Sequence, residues 1–357
     1  MKARILALAA ASVLASPAFA QSSVTVFGIA DAAVRQVNNQ GRGSVSSMVS
    51  GSNSTSRVGF RGVEDLGGGL SAGFHLEHGL LIDTGNDASS AQWFDRRSTV
   101  SLSSTAWGEL RAGRDYTPTY TLWTRNDPFS YVGVAGSNNF VNATPVGPIR
   151  SAFGSNLNTT VRSSNALQYL LPGNLGGLEG GLMLAAGEGG LVANGVAKVT
   201  SVRLGYSAGP FSAGVATATT ANSLTASGKF KDDVVSASYN AGVARINLAL
   251  RSFKQASAKQ RNTLVAAVVP VGVGEIKVSW NSANLSGKVG TATIDANDAT
   301  QLGLGYVHHL SKRTAMYASY ARINNKGAAT FVVPGGPAGL TGGNNSTGYE
   351  LGMRHIF

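Results

Sequence analysis

The chain contains no cysteine. A disulfide framework, a thiolate metal site and a thiol nucleophile are therefore all excluded. Charge is scarce as well, at 13% of the 357 residues. No apolar run is long enough to cross a bilayer as a helix, which takes roughly 20 residues. Past the first segment, the most apolar stretch is Leu264–Val273, and Pro270 interrupts it. No basic run is interleaved with aromatics either. Lys and Arg stand singly, which argues against nucleic acid as a partner.

The first apolar run, Ile5–Ala15, follows Lys2 and Arg4 and precedes Ala18-Phe19-Ala20. This is the layout of a secretory signal over residues 1–20, with cleavage before Gln21. Residues 21–357 are then an exported chain with 27 basic and 18 acidic residues. That excess suits anionic lipid surfaces or anionic solutes.

Glycine is plentiful, with 46 residues. Recurrent Val, Leu, Phe and Tyr argue against disorder. From Ser22 onward, apolar and polar residues alternate in segments separated in turn by short and long polar breaks. There are sixteen, opening with 22–36, 55–64, 69–80 and 96–104 and closing with 346–357. Such segments mark a transmembrane β-barrel, and an even number suits a bacterial single-chain barrel. The reading is all-β: a 16-stranded antiparallel transmembrane barrel, with short turns and both chain ends in the periplasm and long loops outside. In 69–80, Leu70, Ala72, Phe74 and Leu76 share one face, and Ser71, Gly73, His75 and Glu77 the other. A soluble barrel would turn its apolar face inward, but sixteen strands enclose a bore too wide for side chains to fill. The first strand departs from the pattern, because Val24, Val26, Phe27 and Ile29 are apolar on both faces. Contact with another subunit or an imprecise register would each explain that. The break at 37–54 reads as an outside loop. The break at 115–160 lacks regular periodicity, and loops of that length are usually functional. Folded into the lumen as the third extracellular loop, it would narrow the bore.

Four stretches carry a family resemblance: Ser54-Thr-Ser-Arg-Val-Gly-Phe-Arg-Gly-Val-Glu-Asp-Leu-Gly-Gly-Gly-Leu70, Arg96-Arg-Ser-Thr-Val-Ser-Leu102, Gly108-Glu-Leu-Arg-Ala-Gly-Arg114 and the terminal Arg354-His-Ile-Phe357. Together they resemble the general porins of β-proteobacteria, particularly the anion-selective branch. The resemblance implies a homotrimer of sixteen-stranded barrels in the outer membrane of a Gram-negative bacterium. It also implies that the third loop is folded inward and that wall arginines face a few acids. By motif, those arginines are Arg57, Arg96 and Arg162, and the acids are Glu77 and Asp127. Strand alternation from Val100 and Leu102 favours Arg97 over Arg96, and only a bulge would reconcile the two, so both are candidates. Arg61, Arg111 and Arg114 are secondary lumen candidates. Phe357 would be the terminal aromatic that the barrel-assembly machinery recognises. The loop from Tyr131 to Asn158 departs from the family pattern.

Arginine stays charged at ordinary pH, and arginine rings are a known device of anion pores. The expectation is passive diffusion of small hydrophilic solutes, with anions favoured and no cofactor or metal. Lipopolysaccharide and other outer-membrane lipid would surround the barrel. Two other classes compete with this reading. A barrel whose outside loops serve surface binding or adhesion would have a closed pore. A barrel-borne hydrolase needs an ordered triad. His75 and Glu77 share an inward face, but a lumenal polar pair accounts for them. His308 and His309 are adjacent on a strand and point to opposite faces, which argues against a metal site.

Overall fold

The computed structural model describes residues 23–141, 146–156, 160–188 and 196–357. The expected signal segment, 1–20, lies outside the described residues. Sixteen long strands form the barrel. They are β1 (Ser23–Asn39), β2 (Arg57–Gly67), β3 (Leu70–Leu81), β4 (Arg97–Ser104), β5 (Gly108–Tyr116), β6 (Arg162–Leu170), β7 (Leu178–Ala185) and β8 (Lys198–Ala208). The second half comprises β9 (Phe211–Ala221), β10 (Phe230–Asn240), β11 (Arg245–Gln255), β12 (Ala258–Val271), β13 (Gly274–Ser286), β14 (Ala299–His309), β15 (Thr314–Asn325) and β16 (Ser346–Ile356). Each pairs antiparallel with its neighbours in sequence. β1 and β16 close the ring through the register Ile29↔Ile356 to Asn39↔Ser346. Gly28 and Phe357 extend the closure, with Gly28 N donating to Phe357 O at 2.9 Å and Phe357 N to Gly28 O at 3.1 Å. The Phe357 ring lies so close over Gly28 that an added Cβ would meet it at 2.2 Å.

The turns at one end are tight. Between β2 and β3, Gly67, Gly68 and Gly69 all have positive φ, a conformation open to glycine at little cost. The long connections lie at the other end.

The polarity of the wall follows from alternation. On β11, Leu248 and Leu250 are 48% and 44% exposed, whereas Asn247, Ala249 and Arg251 are 1%, 0% and 0% exposed. The exposed side chains are the apolar ones and the covered set includes an amide and a guanidinium. That is the reverse of a soluble barrel and the arrangement of a membrane barrel with a polar interior.

Two expectations change. The 37–54 break is not a plain loop, because Gly43–Ser50 forms a further strand along the outer half of β1. Its Gly-Ser composition hides the alternation. The two-sided apolar character of β1 also has a local cause. Val24 and Val26 face out, while Phe27 lies on the inner wall against Gly59, beside His75 at 5.2 Å between ring centroids.

The segment between β5 and β6 runs inside the barrel and carries regular pieces that periodicity did not reveal. Helix α1 (Pro118–Thr124) starts with Thr117 accepting from Tyr120 N and with Pro118 in its first turn, both favoured there. A 3₁₀ turn covers Ser137–Phe140, and helix α2 covers Pro148–Phe153. Leu122, Trp123, Ile149 and Phe153 pack against Phe230, Phe253 and Leu264 of the inner wall. Val134, Ala135 and Phe140 pack against Ala283, Ala321 and Ile323. The loop therefore lines the wall from β7 round to β16 and leaves the β2–β6 wall open.

Candidate functional site at the lumenal aperture

The open wall holds a continuous chain of side chains. Glu77 of β3 accepts from Arg57 Nη1 at 3.3 Å and from Arg96 Nε at 2.5 Å, both at Oε1. Arg96 Nη2 donates to Tyr116 Oη at 2.8 Å. Arg162 Nη2 donates to the same oxygen at 3.2 Å, with its guanidinium 4.7 Å from the Tyr116 ring centre. Arg57, Arg96 and Arg162 are thus threaded together by one carboxylate and one phenol.

Strand geometry explains the arrangement. Arg57 opens β2 and pairs with Ile29 on β1, which runs on to Asn39. The site is therefore recessed below the outer rim. The β5–β6 register shifts between Gly113 and Asp115, and beyond the shift Tyr116 pairs directly with Arg162. Bulges of this kind re-aim side chains. The choice between Arg96 and Arg97 also resolves. Arg97 pairs with Glu77 across β3 and β4 and keeps the alternation. Arg96 precedes β4 and is free of it, so both turn inward. Only Arg96 joins the chain. Arg97 reaches Asp115 at 3.4 Å and His75 Nδ1 at 3.4 Å.

The loop faces this wall across a cavity of about 330 Å³. Its lining on the loop side is Tyr120, Thr121, Thr124, Arg125 and Ser130, with Arg57, Arg96 and Tyr116 on the barrel side. Tyr120 stacks on Tyr116 at 5.1 Å. Burial and the neighbouring Tyr116 push the Tyr120 hydroxyl up to about 12, so it stays neutral. Arg125 pairs with Glu179, which also holds Arg203 at 2.7 Å.

The two acids are placed differently from the expectation that they oppose the arginines. Glu77 stands within the arginine chain, on the same wall. Asp127 is turned into the loop, where it accepts from Phe129 N, Tyr131 N and Ser137 N at 2.9–3.1 Å and from Ser137 Oγ at 2.5 Å. Burial raises its carboxyl, and the Ser137 hydroxyl and these amides pull against that. Its place is that of a loop-former. No acid lines the aperture on the loop side among the described residues.

The secondary candidates divide. Arg111 is held by Glu109 at 2.9 Å and Asp115 at 2.7 Å. Arg114 donates to the Asp95 carbonyl and to Ser164 Oγ, away from the aperture lining. Arg61 is exposed, 5.3 Å from the Phe27 ring centre.

Sequence reasoning missed Tyr116, Tyr120 and Arg125, and also the grip on the loop. Asp232 accepts from Thr119 Oγ1 at 2.7 Å and from Arg251 Nε and Nη2 at 2.9 and 2.7 Å. Arg251 Nη2 also donates to Thr160 O at 3.3 Å. Gln301 and Glu350 meet the loop at Asn139, Ala135 and Val134. Alternation could have found Glu350, which is polar at an inward position between Tyr349 and Leu351, whereas Asp232 stands between Lys231 and Asp233 and nothing in the pattern marks it.

Known proteins share both the sequence and this architecture. A family described as Gram-negative porin matches residues 7–328. The chain is 37% identical to outer membrane porin protein 32 of Delftia acidovorans, over the full length of both. It is 32% identical over 186 residues to an outer membrane porin protein of Bordetella pertussis, covering 48% of this chain and 45% of that one. Among solved structures it resembles an anion-selective porin from Comamonas acidovorans, with a TM-score of 0.79 and 37% identity over 94% of this chain and 100% of that one.

Proposed function

The chain belongs to the Gram-negative porin family of the outer membrane, and from that premise we propose that its water-filled pore favours anions through the Arg57–Arg96–Arg162 wall. The observation that carries the proposal is the charge count at the cavity: Arg57 and Arg96 line it and share one carboxylate, Glu77, Arg162 joins them through Tyr116, and the facing loop surface adds no acid among the described residues. At about 4 Å and an effective dielectric of about 20, one anion–guanidinium contact is worth up to roughly 4 kcal/mol. Several in sequence must each be weaker than that, or the ion would not leave. The Glu77–Arg pairs and the water column supply that weakening. The relative from Comamonas acidovorans bears the name anion-selective porin, which agrees with this reading.

Permeation by small hydrophilic anions needs no cofactor and no covalent step. One barrel already holds the whole aperture. The homotrimer implied by the family would therefore multiply pores without completing any. Recognition of Phe357 by the assembly machinery would use a residue whose backbone is also the closing seam of the barrel.

The test is the reversal potential of the purified protein in a planar bilayer across a salt gradient. The expected potential lies on the anion side, and Glu77→Gln moves it further that way by removing the carboxylate that Arg57 and Arg96 share. A cation-side potential, or a shift toward cations in Glu77→Gln, contradicts the proposal.

A further inference from the structure

His75 of β3 is a titratable side chain of the inner wall with no part in the arginine chain. It stands two residues from Glu77 on the same face, roughly 7 Å along the strand. Its side chain is 20% exposed to the lumen and lies outside the lining of the aperture cavity. Nδ1 is 3.4 Å from Arg97 Nη1, and Nε2 is 3.5 Å from Glu77 Oε2. A guanidinium donates and cannot accept, so Nδ1 accepts and the ring proton sits on Nε2, facing the carboxylate. That is the arrangement of a neutral imidazole. Phe27 braces the ring edge-on, at 5.2 Å between centroids and 68° between planes.

Charged groups approach the ring from each neighbouring strand but one. Glu77 lies on β3 itself. Arg61 is directly opposite on β2, with its guanidinium 5.3 Å from the Phe27 ring centre. On β4, Thr99 is directly opposite and Arg97 supplies the charge. Arg97 is shared with Asp115 of β5 at 3.4 Å, and Asp115 also holds Arg111 at 2.7 Å. From β1 the ring meets Phe27, which is uncharged.

A second proton on the ring changes two of these contacts. Nδ1 becomes a donor facing a donor and parts from Arg97, which already has Asp115 in reach. Nε2–H, now charged, makes the stronger kind of hydrogen bond to Glu77. Glu77 then has less to give its arginines, and the longer of those bonds is the 3.3 Å one from Arg57, against 2.5 Å from Arg96. Arg57 is therefore the guanidinium released toward the cavity it lines. We infer that His75 is a specificity-determining residue of the pore: its protonation strengthens the preference for anions as the medium turns acid. It acts on the aperture through Glu77. The inference rests on the anion-selective reading of the Arg57–Arg96–Arg162 wall. Histidines as a class change charge between about pH 5 and 8, which sets the range of the test.

The experiment records the purified protein in a planar bilayer across a tenfold KCl gradient, at pH 8 and at pH 5. The unaltered protein should move further to the anion side at pH 5. His75→Gln keeps a polar side chain but takes up no proton, and it should retain less than half of that shift. Carboxylates elsewhere in the pore titrate in both proteins, so the difference belongs to position 75. His75→Arg carries the charge at either pH. At pH 8 it should already stand near the potential that the unaltered protein reaches at pH 5, and it should shift little further. An equal pH shift in His75→Gln and the unaltered protein overturns the inference. So does a His75→Arg pore no more anion-selective at pH 8 than the unaltered one. A cation-side potential of the unaltered protein at pH 8 is a separate result: it fails the selectivity reading itself, and the inference with it.

Discussion

Arg57→Glu with Arg162→Glu is expected to reverse the ion preference of the pore. In a tenfold salt gradient a perfectly selective channel would sit at about 59 mV for a monovalent ion. The unaltered protein should lie between zero and that limit on the anion side. The double variant should cross zero, because the wall then carries Arg96 against Glu77 and two added carboxylates. Alanine at both positions should bring the potential close to zero without crossing it, since Arg96 is left balanced by Glu77. The effect should shrink with salt, as the screening length falls from about 10 Å at 0.1 M to about 3 Å at 1 M. Loss of conductance without a change of sign would place selectivity elsewhere. Arg111→Glu serves as the comparison. Its guanidinium is already neutralised by Glu109 and Asp115, so it should move the potential much less than Arg57→Glu.

The second large effect concerns the loop. Arg251 is fully covered and bonded to Asp232 by two hydrogen bonds, and Asp232 in turn holds Thr119 in α1. Removing one partner of a buried ion pair leaves an uncompensated charge and typically costs about 3–5 kcal/mol. Arg251→Ala should therefore undock the α1 end of the loop from the β10–β11 wall. Single-channel recordings should show larger and noisier conductance, because the loop is what fills that half of the bore. Replacing both partners with apolar side chains, Arg251→Met with Asp232→Leu, removes the stranded charge and should restore quiet conductance for the most part. Equal noise in the single and double variants would mean that Thr119 and Thr160, not the buried charge, hold the loop.

The sequence disclosed the barrel nearly strand for strand, because lipid on one side and water on the other impose a strict two-residue period. Leu248, Leu250 and Arg251 illustrate how little ambiguity remains once both solvents are recognised. The extra strand Gly43–Ser50 escaped because serine and glycine carry no such contrast. The arginine wall was legible as residue types on alternate strands. Its wiring was not. Glu77 was expected across from the arginines and stands among them, and Tyr116 owes its position to a register shift that no pattern announces. Inside the loop, position depends on long-range contacts such as Thr119 with Asp232 and Val134 with Glu350. Asp127 shows the consequence. A lone acid in an irregular segment reads as an aperture charge, whereas its four hydrogen bonds make it the organiser of the turn from Phe129 to Ser137.

Anion passage requires an aqueous path along the arginine wall. The absence of cysteine allows a direct probe of it. Ser130 is exposed and lines the aperture on the loop side. In Ser130→Cys, reconstituted in a bilayer, the rate at which a membrane-impermeant anionic thiol reagent lowers the current is compared with that of its cationic counterpart. The anionic reagent should react at least tenfold faster and reduce the current. A thiol that neither reagent reaches, or that the cationic reagent reaches first, would contradict the account.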